Sequence, residues 1–130
     1  MGDMSRKIRF AEGEYYHVYN RGVDKRDVFL HERDYERFIF GLFVCNDTAP
    51  LINTSFSYRG LTSIGDNDTR ELIVDIVAFC LMPNHYHLLV REKTERGISL
   101  FMQKLGTAYT MFFNTRYERR GALFQGTFKA

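Results

Sequence analysis

The stretch Val77-Ala-Phe-Cys-Leu-Met-Pro-Asn-His85-Tyr-His87-Leu-Leu-Val90 decides how the rest of the chain is read. Residues 73–82 and 86–92 are two β-rich apolar runs, and Pro83-Asn84 between them is turn chemistry, so a β-hairpin is predicted with the histidines at the start of its second arm. Side chains alternate along a strand, which places His85, His87 and Leu89 on one face and Tyr86, Leu88 and Val90 on the other. At about 3.3 Å of rise per residue the two histidine Cα atoms lie roughly 6.5 Å apart, near enough for both rings to converge on one ion. The competing reading is a pair of polar residues on a solvated sheet face. An arbitrary His-x-His favours that reading, whereas a strand end, where scaffolds carry chemistry, favours the ion.

Downstream, Gly97-Ile-Ser-Leu-Phe-Met-Gln-Lys-Leu105 opens a helix with Ser99 or Gly97 as its cap and Ile98, Phe101, Met102, Leu105, Ala108, Tyr109 and Phe112 as its buried stripe. Gly106 within it costs about 1 kcal/mol against alanine, which predicts either a bend or a close approach to the backbone. The helix is expected to stop near Arg120-Gly121, leaving residues 122–129 for a short strand or extended arm. Upstream, Tyr15-Tyr-His-Val-Tyr-Asn-Arg-Gly22 reads as a first strand. A lone histidine such as His17 is more often satisfied structurally than functional, with a place in the site as the alternative. Residues 21–27 form a polar, basic loop able to hold a phosphate, although they match no phosphate-loop motif. Tyr35, Phe38, Ile39, Leu42, Phe43 and Cys45 recur at helical steps between Glu32 and Asn46. Residues 1 to about 12 read as a leader and about 47–70 as a long polar insertion. The order is strand, helix, strand, strand, helix, strand or arm. It is that of an α+β, ferredoxin-like split β-α-β domain, with an antiparallel-rich sheet and helices on one face.

With 130 residues and 15.3 kDa the chain suits a single domain, 1–130, with one core. A hydrophobic fraction of 45% excludes a disordered chain, and no apolar run is long enough for a membrane span. The polar N-terminus lacks the pattern of a secretory signal, which points to the cytoplasm. Cys45 and Cys80 sit in apolar runs and read as small buried hydrophobes in a reducing compartment. The net charge is only +2, but its distribution is uneven. Arg6, Lys7, Arg9, Arg21, Lys25 and Arg26 lie early and Lys104, Arg116, Arg119, Arg120 and Lys129 late, so folding is able to merge two basic ends into one patch. An ordinary solvated surface is the competing reading.

Three segments, Tyr16-His-Val-Tyr-Asn-Arg-Gly22, Leu81-Met-Pro-Asn-His-Tyr-His-Leu-Leu89 and Phe113-Asn-Thr-Arg-Tyr-Glu-Arg-Arg-Gly-Ala-Leu-Phe-Gln-Gly-Thr-Phe128, occur in the order found in one family. The chain resembles the single-tyrosine HUH transposases of the insertion-sequence and REP-associated kind, over nearly its whole length apart from the polar insertion. The resemblance implies a ferredoxin-like domain, often dimeric, that acts on single-stranded or hairpin DNA. It also implies that His85 and His87 hold a divalent ion, commonly magnesium or manganese. Such an ion orients a scissile phosphate for attack by a tyrosine oxygen, and the phosphotyrosine link conserves the bond's energy for rejoining. Two imidazoles hold a hard ion poorly, so a third ligand is expected.

The resemblance is incomplete. The family's nucleophilic tyrosine, with an amide or acidic ligand about one turn beyond it, lies in a helix downstream of the segment matching Leu123 to Phe128, and the sequence ends at Ala130. The expectation is therefore a domain with the metal histidines but without the catalytic helix, and no catalytic residue is assigned. Tyr109 and Tyr117 precede that position, and Tyr109 falls on a buried stripe. Asn114 lies five residues from Tyr109, about 140° around the helix, so the two do not face one ion. The candidate nucleic-acid contacts are Arg21, Lys25, Arg26, Lys104, Arg116, Arg119, Arg120 and Lys129. The alternative from a different class is a non-cleaving module that holds single-stranded nucleic acid by stacking on tyrosines and by basic contacts. A replication initiator or relaxase shares the histidine pair, but no second tyrosine arrangement supports it.

Overall fold

The computed structural model describes residues 8–49 and 70–130, so the first seven residues of the expected leader and most of the expected insertion lie outside the described residues. The elements are β1 (Tyr15–Arg21), a 3-10 turn (Val23–Lys25), α1 (Glu32–Val44), β2 (Val74–Met82), β3 (His85–Glu92) and α2 (Gly97–Arg116). The three strands form one antiparallel sheet in the order β1-β3-β2. β3 therefore lies between β1 and β2, the arrangement of a split β-α-β unit, and the fold is α+β as expected.

Residues after α2 run back along β1 as a broken fourth strand. Tyr19 and Lys129 exchange both backbone hydrogen bonds at 2.9 and 2.7 Å, and Gly22 bridges Phe124. Between these bridges the arm spans more residues than β1 does, and the excess is taken up at Gly126, whose φ is +64°. Buried Asn20 closes the gap, its amide donating to the Gly126 carbonyl at 3.1 Å.

One sheet face is covered. Val18 from β1 and Tyr86, Leu88 and Val90 from β3 pack with Phe38 and Leu42 of α1 and with Ile98, Phe101, Leu105, Tyr109 and Phe113 of α2 in a single core. The helices share this face because each carries one apolar stripe. Asp34, completely buried, ties them at one end: its carboxylate accepts the Leu30 and His31 N–H groups at the start of α1 and the Tyr117 hydroxyl just past α2 at 2.5 Å.

Three sequence expectations change. Ser99 and Gly97 do not cap α2; Arg96 does, in a left-handed conformation with φ of 62°, while the Ile98 N–H is met by the Glu92 carboxylate at 2.6 Å. α2 ends at Arg116, short of Arg120-Gly121, because Glu118 turns left-handed and the Asn114 side chain reaches over to the Gly121 carbonyl at 3.0 Å. Among the described residues nothing lies within 4 Å of where a Gly106 side chain would project, and α2 continues through it.

Candidate functional site

Among the described residues the face of the sheet away from the helices is open, and the strand register sets what it displays. Along β1, Tyr15, His17, Tyr19 and Arg21 alternate outward, opposite Arg91, Leu89, His87 and His85 of β3. Across the sheet, Lys129, Tyr19, His87 and Cys80 form one row and Arg21, His85 and Met82 the next. Directly paired residues point to the same side, so two basic residues and an exposed tyrosine flank the two histidines. Cys80 is exposed in this row, which corrects the expectation that it is buried, because β2 is an edge strand with an uncovered outer face; Cys45 is buried as expected.

His85 and His87 do share the face, with ring centroids 5.1 Å apart at an interplanar angle of 88°. The state of His85 follows from its neighbours. The Asn84 amide nitrogen donates to the Lys25 carbonyl at 3.3 Å, so the Asn84 oxygen faces the other way, 2.7 Å from His85 Nδ1. An amide oxygen only accepts, so this contact favours a proton on His85 Nδ1, and in the neutral ring the lone pair then lies on Nε2. His87 has its Nδ1 engaged as well, 2.8 Å from His17 Nε2. Burial first, then the neighbouring His17 and His85 rings, depress the His87 pKa, which favours the neutral form that a metal ligand needs. Among the described residues no group of three or more His, Cys, Asp or Glu side chains is arranged to hold a metal ion. Two imidazole nitrogens alone hold a hard ion poorly, so a divalent ion at this pair would have to take its remaining ligands from oxygen.

The loop read as a phosphate holder is packed otherwise than a phosphate loop. Its N–H groups from Gly22 to Arg26 bond to Asn84 O, Leu123 O, the Gln125 side chain, Gly22 O and Val23 O in turn. These five N–H groups are not free to cradle an anion, so contact with one falls to side chains such as those of Arg21, Lys25 and Arg26. The loop braces the hairpin instead: Pro83 O accepts from Val28 and Phe29, and a Cβ on Gly22 would meet the Arg26 carbonyl at 2.1 Å.

Folding brings some of the predicted basic residues together. Arg21 and Lys129 line the open face. Arg26 lies over the Phe113 ring at 5.2 Å, and burial followed by the Arg26 charge lowers the Arg119 pKa, so early and late residues do meet at the α2 C-terminus. Arg119 also bonds the Asn114 side chain at 2.6 Å and the Ala122 carbonyl at 3.0 Å, Arg116 bonds the Tyr117 hydroxyl at 3.1 Å, and Arg120 is exposed. Lys104 lies apart from these, its ammonium taken by the carbonyls of Asp47 and Ala49 on the helical layer. That layer also carries an apolar groove of about 990 Å³ between α1 and α2, away from the histidines.

The helix tyrosines are committed elsewhere. Tyr109 is buried and donates to the Val28 carbonyl at 2.5 Å, and Tyr117 is held between Asp34, Arg116 and His31. Tyr19, not singled out from the sequence, is the tyrosine beside the pair, its ring centroid 5.8 Å from that of His87. The alternation Tyr15, His17, Tyr19, Arg21 is the signal that would have found it.

The sequence profile of the family described as IS200-like transposases matches residues 41–130, more than half of the chain and including both hairpin strands, α2 and the arm. The chain belongs to the IS200-like transposase family. No curated protein sequence matches it significantly. The hairpin with the histidine pair thus lies within the matched part of this transposase-type domain, while His17, Tyr19 and Arg21 of β1 lie before it. Among the described residues no helix is long and apolar enough to cross a membrane.

Proposed function

We propose that this transposase-type domain binds single-stranded or hairpin DNA across its open sheet face, with His85 and His87 holding a divalent ion, magnesium or manganese, against a DNA phosphate. The observation that carries the reading is the pair itself: His85 and His87 share the exposed sheet face, with His85 in the same register row as Arg21 and its Nδ1 engaged by Asn84, which leaves Nε2 for a ligand. When bound, the ion would neutralise phosphate charge and orient the ester for in-line displacement. Around it the chain's own residues position the strand: Arg21 and Lys129 meet phosphates, and Tyr19 offers a ring on which a base stacks. The domain works in the cytoplasm, and it has the character of a family often found as homodimers.

Tyr109 and Tyr117 do not supply the nucleophile, since one hydroxyl is buried on a backbone carbonyl and the other is bound to a buried carboxylate. Binding of DNA without a covalent adduct at either of these two tyrosines is the expectation. One observation favours the alternative of a binding module with no cleavage chemistry: exposed Tyr15, with the Arg91 guanidinium 5.7 Å from its ring centroid, extends the aromatic and basic face beyond the histidines.

Incubation of the chain with a labelled single-stranded hairpin, with and without manganese, separates these readings. Binding strengthened by manganese, and losing that gain in His85→Ala and His87→Ala, is expected. Binding indifferent to manganese leaves the module reading. A covalent adduct lost on Tyr109→Phe would overturn the buried role of that tyrosine, and one lost on Tyr19→Phe would make Tyr19 the attacking group.

A further inference from the structure

His17 stands on β1, diagonal to His87 across the sheet, and its Nε2 lies 2.8 Å from His87 Nδ1. The two rings are nearly coplanar, 18° apart, with centroids separated by 5.0 Å. A short N–N contact combined with that centroid separation means the rings meet edge to edge, lone pair against N–H, and not face on face. Tyr19 holds the arrangement from the side, its ring centroid 4.9 Å from that of His17 at an angle of 20°.

One proton lies between the two nitrogens, and its ownership decides which nitrogen of His87 is left to bind anything. If His17 donates, a neutral His87 carries its own proton on Nε2 and that nitrogen has no lone pair to offer. If His87 donates from Nδ1, its Nε2 is bare, the same state that Asn84 imposes on His85. We propose that His17 is a positioning residue for the metal pair: its Nε2 accepts the His87 Nδ1 proton and holds His87 in the tautomer that presents Nε2 on the open face. Each histidine of the pair then has its own acceptor, an amide oxygen for one and an imidazole nitrogen for the other. Such partners of ligand histidines fix ring orientation and tautomer, and their loss typically weakens metal affinity about 10–100-fold. His17 is not itself a ligand in this arrangement, because its facing nitrogen is taken by the hydrogen bond. The inference rests on the metal reading above and adds a residue from β1, outside the hairpin.

The test uses the intact chain and two readouts. Nitrogen-resolved NMR of the imidazoles, without metal and at a pH where they are neutral, identifies the protonated nitrogen of His87. Manganese affinity follows from the free-ion electron paramagnetic resonance signal. The wild type is expected to show His87 protonated on Nδ1. His17→Phe, which keeps a ring but has no acceptor, is expected to move the proton to Nε2 and weaken manganese binding about 10–100-fold. His17→Gln, whose side-chain oxygen accepts, is expected to restore the Nδ1 form and most of the affinity, a rescue that a purely packing role would not give. A wild-type His87 protonated on Nε2, or a His17→Phe chain with unaltered manganese affinity, overturns the proposal. Should the wild type bind no manganese while His87 is protonated on Nδ1, the metal reading fails and the hydrogen-bond assignment stands, so the two failures are distinguishable.

Discussion

Glu92 ends β3 on the covered face, 2% exposed, with its carboxylate on the Ile98 N–H at the start of α2. Burial raises its pKa, against the pull of backbone hydrogen bonds from Ile98 and Arg96 and with a further push from Glu12. The sign of the effect follows from linkage: the folded state holds this proton over an interval in which the unfolded chain has already lost it. Stability is therefore greatest below the ordinary carboxylate value and falls as pH rises through the folded one. Glu92→Gln keeps the acceptor without the charge, so urea unfolding across a pH series is expected to show a weaker decline toward neutral pH than wild type. Glu92→Leu leaves the Ile98 N–H orphaned and should cost about 1–3 kcal/mol at acid pH. The same attention to partners separates the histidines. His85 and His87 stood out in the sequence by spacing, whereas the role of His17 depends on a neighbour 70 residues away.

At the scale of elements, apolar periodicity reported where strands and helices run, and local chemistry misreported how they end. The hairpin, α1 and the buried stripe of α2 follow from alternation and from three- and four-residue steps. The ends of α2 do not, because they are set by groups remote in sequence or specific to one rotamer: Glu92 at the start, Asn114 reaching the Gly121 carbonyl at the finish. Gly106 shows the same limit, since among the described residues nothing approaches its backbone closely and the helix runs through it unbroken. Gly106→Ala should accordingly stabilise the domain by up to about 1 kcal/mol, read as a raised thermal midpoint. A lowered midpoint would show that something does approach the backbone there.

For the whole molecule, charge distribution matters more than the net value of +2. Basic residues far apart in the chain meet on two surfaces, Arg21 with Lys129 on the open sheet face and Arg26 with Arg119 beside the α2 C-terminus. Lys104 is spent on carbonyls of the helical layer. If the open face is the DNA-binding surface, Arg21→Ala and Lys129→Ala should each reduce the slope of log affinity against log salt by about 0.7 for single-stranded DNA. Lys104→Ala should leave that slope unchanged and lower only thermal stability. Fluorescence anisotropy with a labelled oligonucleotide at several salt concentrations reads both outcomes.

The sequence by itself determined the hairpin, the α+β element order, the two histidines on one strand face and the resemblance to transposases, because all of these depend on spacing between near neighbours. Only the tertiary structure decided the rest. It placed β3 between β1 and β2, brought His17, Tyr19, Arg21 and Lys129 around the pair, exposed Cys80 on an edge strand, and removed Tyr109 and Tyr117 from the site. Strand register and hydrogen-bond partnership join residues that are distant along the chain, and a one-residue change in either would turn a different set of side chains to the open face.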